Sequence, residues 1–120
     1  MSAKTFTVTH GSIRIKVKLL PTVDDVHRAY TGGTSVPRRS GAKIVHGFFN
    51  ANTPAKHVGT IVLPETGGNL NELVPHETTH AVIHHLNGVL SHADEDCATA
   101  VGIISSRIFK RLNLIRAEAV

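Results

Sequence analysis

Residues 70–87 read Leu-Asn-Glu-Leu-Val-Pro-His-Glu-Thr-Thr-His-Ala-Val-Ile-His-His-Leu-Asn, and the spacing of their histidines constrains the fold more than any other feature. His76 and His80 stand four residues apart, so an α-helix stacks them one turn apart on one face, where both imidazoles reach a single ion. Glu77 is rotated about 100° from His76 around the helix axis. It therefore lies beside such an ion rather than on it, the place of a general base acting on metal-activated water. Leu70, Leu73 and Val74 precede the motif, Ala81, Val82, Ile83 and Leu86 follow it, and Gly88 closes the run as a C-cap. The motif helix is expected over about 70–87, and Pro75, tolerated in or near a first turn, argues for a start close to Asn71 or Glu72.

The rest of the chain must supply something for that helix to pack on. Residues 5–9 and 12–20 carry the first strand signals, joined by a turn at His10-Gly11. In the second, Ile13, Ile15, Val17 and Leu19 alternate with Arg14, Lys16 and Lys18, the pattern of a half-buried strand with a basic outer face. Thr22 and Asp25 have capping-box spacing and open a short helix over 22–30 with Val23, Val26 and Tyr30 inward. Gly32 to Gly41 is a loop by composition, at the rim of a cleft. Two further strands follow over 43–49 and 57–63, antiparallel because the connection is short. Leu63-Pro64-Glu65-Thr66-Gly67 spells a sortase sorting signal, but it is internal and reads as a strand end followed by a turn. A last helix spans 94–116, with Cys97, Val101, Ile104, Ile108, Leu112 and Ile115 at helical spacing as a core stripe. The expected fold is a single α+β domain over 1–120: a small, mostly antiparallel sheet packed on the motif helix and the last helix, with strand 57–63 as the cleft wall.

Composition narrows the partners. Hydrophobic residues make up 41% of the chain, enough for a packed globule. Trp is absent and there is one Tyr, so platforms for stacking single-stranded bases are scarce. The formal net charge of +4 is spread over Lys16/Lys18, Arg38/Arg39/Lys43 and Arg107/Lys110/Arg111/Arg116 without a dense block. Solvated faces and loops are thus the stronger reading of this charge, and a nucleic-acid footprint the weaker. The single cysteine, Cys97, excludes an internal disulfide. No apolar segment has signal-peptide or membrane-spanning character, which points to a cytoplasmic protein without a membrane partner.

A hydrolytic zinc site needs three protein ligands and an open position. A histidine six residues beyond His80 is excluded, because position 86 is Leu and position 83 is Ile rather than Gly. His84 lies about 12 Å of helix rise from His76, too far for the two to share an ion; a supporting role is left to it. The acidic run Asp94-Glu95-Asp96, at the start of the last helix, can face back across a helical hairpin. Glu95 shares the i, i+3, i+7 face with the small residues Ala98 and Gly102, which would allow close approach to the motif helix. It is favoured as third ligand over Asp96, Asp94 and His92. Tyr30, Arg38, His46 and His57 remain open as donors to a developing oxyanion.

His76-Glu77-x-x-His80 followed by a glutamate on the next helix resembles the gluzincin arrangement of zincin metallopeptidases. Glu-Leu-Val-Pro-His-Glu-x-x-His-Ala-Val, then Asp-Glu-x-x-Ala-x-x-x-Gly, is similar to small metallopeptidases encoded by bacteriophages and prophages, most strongly over 61–106. The resemblance implies Zn²⁺ held by His76, His80 and Glu95, Glu77 as the catalytic residue, and hydrolysis of a peptide bond, in host cytoplasm for a phage-encoded chain. The chain departs from thermolysin-type enzymes in lacking their longer Asn-Glu-x-x-Ser-Asp motif. It departs from peptide deformylase in that Cys97 follows the motif instead of preceding it. A metal-stabilised structural or interaction protein and a basic nucleic-acid-associated module are the alternatives.

Overall fold

A computed structural model describes residues 4–32, 44–51, 58–85 and 94–118, with the side chains of the last helix described from 97 to 116. The chain forms an α+β fold in the order β1 (Lys4–His10), β2 (Ile13–Leu20), α1 (Val23–Thr31), β3 (Phe48–Asn50), β4 (Gly59–Pro64), α2 (Leu70–His85) and α3 (Asp94–Glu118). The sheet order is β1-β2-β4-β3. β1 and β2 form the expected antiparallel hairpin, pairing Thr5 with Lys18 and Thr9 with Arg14, with Gly11 at φ 59° in its turn. β3 and β4 are antiparallel as expected, whereas β2 and β4 run parallel, Val17 facing Ile61. The parallel pair follows from two reversals of direction, since β3 lies between β2 and β4 in the chain and runs opposite to both.

Strand alternation sorts the side chains onto two faces. Ile13, Ile15, Val17 and Leu19 of β2, Phe6 and Val8 of β1, and Ile61 and Leu63 of β4 form one core with α2 and α3. On the opposite face α1 packs Val26 against Leu20 and Val62, with Phe48 alongside. Thr22 caps α1 as the spacing predicted: its Oγ1 accepts from the Asp25 amide and its own amide donates to Asp25 Oδ2. The inner residue of α1 that the apolar pattern missed is His27, which is buried, while Tyr30, expected inward, is 59% exposed.

Three expectations are corrected. The strand placed at 43–49 is three residues long at 48–50, and 44–47 has no regular structure. α2 begins at Leu70, so Pro75 lies beyond the first turn; the bond it forfeits would go to the Asn71 carbonyl, on an exposed residue where water can replace it. The cleft wall is not β4, which is hydrogen-bonded on both sides by β2 and β3. It is β3, at the edge of the sheet, with the segment leading into it. The Leu63–Gly67 stretch ends β4 and turns as expected, tied back by Glu65 N–H to the Leu20 carbonyl and Thr66 Oγ1–H to the Pro21 carbonyl. The expected cap Gly88 and the loop 33–41 lie outside the described residues. No helix among the described residues is long and apolar enough to cross a membrane.

Candidate metal and catalytic site

α2 carries two stripes. Leu70, Val74, Thr78, Ala81 and Val82 are buried against the sheet and α3. One stripe over, Leu73, His76, His80, Ile83 and His84 line a cleft whose far wall is Val45, His46, Gly47, Phe48 and Phe49. Glu77 falls on the seam between the stripes, lining the cleft yet 5% exposed. The chain therefore uses one helix both to fill the core and to floor the cleft, a consequence of apolar residues recurring at helical spacing on one side and histidines on the other.

His76 and His80 are brought together as their spacing requires. Their Nε2 atoms are 3.2 Å apart and their rings meet edge to face with centroids 4.8 Å apart. With one Nε2 protonated the pair shares a hydrogen bond, donor and acceptor being set by tautomer. Both side chains open into the cleft, His76 with 62% of its side chain exposed. Glu77 Oε2 lies 3.9 Å from His76 Nε2. Burial raises the pKa of its carboxyl above the ordinary 4.5, opposed by the charges of His76 and then His80. Desolvation wins because a carboxylate loses water on burial while the two imidazoles bear charge only when protonated.

His84 packs its ring against Phe49, centroids 5.7 Å apart, and faces the cleft beyond His80. Tyr30 reaches the same cleft from α1 and stands edge-on to Phe48 at 5.3 Å. His46 is exposed in the opposite wall. His85 leaves the cleft altogether, its Nε2 3.4 Å from Ser12 Oγ in the β1–β2 turn. Arg38, His57 and His92 lie outside the described residues.

Glu95 belongs to the first turn of α3, and its side chain, like those of Asp94 and Asp96, lies outside the described residues. The expected close approach through Ala98 and Gly102 is not found: both are exposed, and a Cβ added at Gly102 would meet nothing within 4 Å. The stripe of α3 that does face inward is Cys97, Ala100, Val101, Ile104 and Ile108, so the small residues do not bring α3 against α2. Among the described residues no group of three or more His, Cys, Asp or Glu side chains is gathered for an ion. Sequence reasoning missed His27, whose Nδ1 accepts the Val45 amide at 3.0 Å and ties the cleft wall to α1; a histidine on the inward side of an otherwise amphipathic helix was its signal.

No family model matches the chain, and neither a curated protein nor a solved structure does.

Proposed function

We propose that the protein is a zinc-dependent metallopeptidase, with His76 and His80 holding the metal and Glu77 acting as general base. The observation that carries the reading is the placement of the two imidazoles. Nitrogens about 2.0–2.1 Å from one tetrahedral ion stand about 3.3 Å apart, and the Nε2 atoms are 3.2 Å apart. The third ligand is assigned to Glu95, on the resemblance alone. A zinc ion held there supplies Lewis-acid polarisation and a nucleophile at neutral pH.

The chain's own residues do the rest. Glu77 has its carboxyl at the cleft but nearly out of water, which raises its proton affinity toward that needed to take a proton from an attacking water and return it to the leaving amine. β3, bonded among the described residues of the sheet only to β4, has a second edge on which an extended peptide can align as an added strand. Leu73, Ile83, Phe48 and Phe49 give that cleft apolar walls, and Tyr30 and His46 are the described side chains available to donate to an oxyanion. Glu77 beside the two histidines favours a hydrolytic site over a structural one, which has no use for a base there.

The test is metal content combined with activity. Wild type should hold about one zinc per chain, as expected for a single site, and His76→Ala and His80→Ala should lose it. Glu77→Gln should keep the metal and fail to cleave peptides that wild type cleaves. Because ligation needs neutral imidazoles, zinc affinity should fall as pH is lowered. Wild type that purifies without metal and binds none on titration would end this reading.

A further inference from the structure

We propose that the β1–β2 part of the sheet face opposite α2 and α3, beside α1, is a docking surface for the phosphate backbone of nucleic acid. β1 and β2 place on that face three consecutive cross-strand pairs of one kind: Thr5 with Lys18, Thr7 with Lys16 and Thr9 with Arg14. Alternation sends the apolar partners of these residues to the core on the other side, so the cations share one face. They recur every second residue, about 6.6–6.8 Å apart along the strand. Arg14 is exposed and Lys16 and Lys18 are partly exposed, and none of the three forms an ion pair among the described residues.

Other cations are already engaged: Lys4 with Glu65, Arg28 with Asp24, Arg107 with the Thr9 carbonyl, and Arg111 over the Phe6 ring. The chain's charge is also divided. Residues 1–64, which build all four strands and α1, contain nine Lys and Arg but only Asp24 and Asp25 as acids. Residues 65–120 contain four Lys and Arg against seven acids, so the net +4 splits into +7 and −3. Asp25 is committed to the Thr22 cap and Asp24 to Arg28. No acidic residue occurs between 26 and 64.

The chemistry selects among polyanions. Cations beside hydroxyl donors are what phosphate oxygens bind. An acidic protein partner would ordinarily need an apolar or aromatic anchor at the centre of the contact, and a membrane would need an apolar wedge; the six residues provide neither. Without aromatics among them, the surface contacts backbone rather than stacked bases, so binding is independent of sequence.

The test is fluorescence anisotropy with a labelled mixed-sequence DNA duplex, using the full chain over a salt series. Wild type should bind with affinity that falls as salt rises. Arg14→Ala/Lys16→Ala/Lys18→Ala should bind roughly tenfold or more weakly at low salt, and its slope of log K on log salt should be shallower by about 2.7, at 0.9 per phosphate. Lys110→Ala/Arg116→Ala, exposed cations on α3, should bind as wild type does. Lys16→Gln/Lys18→Gln, the milder variant, should show an intermediate loss if the triple variant melts early by circular dichroism. No binding by wild type, an unchanged slope in the sheet variants, or an equal loss in the α3 variant would overturn the proposal. Displacement of the duplex by polyglutamate at equal charge concentration would overturn it in favour of an acidic protein partner. None of these readings depends on zinc or on hydrolysis.

Discussion

Glu77 pairs a titratable group with a site that disfavours its charge. Its carboxyl is held by burial above the ordinary carboxylate value, so the folded metal-free protein binds this proton more tightly than the unfolded chain does. Stability from this group is therefore fully present below pH 4.5 and is lost as pH rises through the raised folded value. In metal-free protein Glu77→Gln should accordingly melt at a higher temperature than wild type at pH 7, and the gap should close as pH falls toward 4. Equal melting temperatures throughout would mean that burial costs the carboxylate nothing. The third ligand is open to the same directness. If Glu95 holds the metal, Glu95→Ala should weaken zinc binding by 10-fold or more, on the order of what loss of even a supporting residue costs, while Asp94→Ala and Asp96→Ala change helix stability by about 1 kcal/mol or less. Undiminished affinity in Glu95→Ala with loss in Asp94→Ala would move the ligand one residue and leave the peptidase reading intact.

Two glycines show how differently the elements are constrained. Gly59 opens β4 where β3 crosses closest: an added Cβ would collide with the Phe49 ring and stand 2.6 Å from the Asn50 carbonyl oxygen. The ring can turn away but the backbone oxygen cannot, so Gly59→Ala must push β3, and with it the cleft wall, off the sheet. A loss of about 1–3 kcal/mol is expected by urea denaturation, the usual cost of overpacking. Gly102 is the opposite case, in mid-helix with open space around it. Gly102→Ala should stabilise α3 by roughly 0.5–1 kcal/mol, because alanine restricts the unfolded backbone and meets no neighbour. A destabilised Gly102→Ala would indicate that the Glu95 face is closely packed after all.

The molecule joins its elements into a cleft by fastening the wall from behind. α1 lies on the far face of the sheet from α3, yet His27 accepts the Val45 amide and Tyr30 braces Phe48, so the segment entering β3 is held by a helix that carries neither His76 nor His80. His27→Ala should leave zinc content unchanged and accelerate hydrogen exchange at the Val45 amide; unchanged protection there would show that β3 pairing alone positions the wall. Much of this arrangement was legible in the residues themselves. Helical spacing brings His76, Glu77 and His80 together, period-two alternation separates Arg14, Lys16 and Lys18 from the core, and the capping box starts α1. These are local relations, set by backbone geometry within a turn or a pleat. The parallel pairing of β2 with β4, the choice of β3 as cleft wall, the burial of Glu77 and His27, and the outward face of Ala98 and Gly102 were decided only by tertiary packing. Each depends on which sides of distant segments compete for the same apolar core, and no residue's own sequence neighbours carry that information.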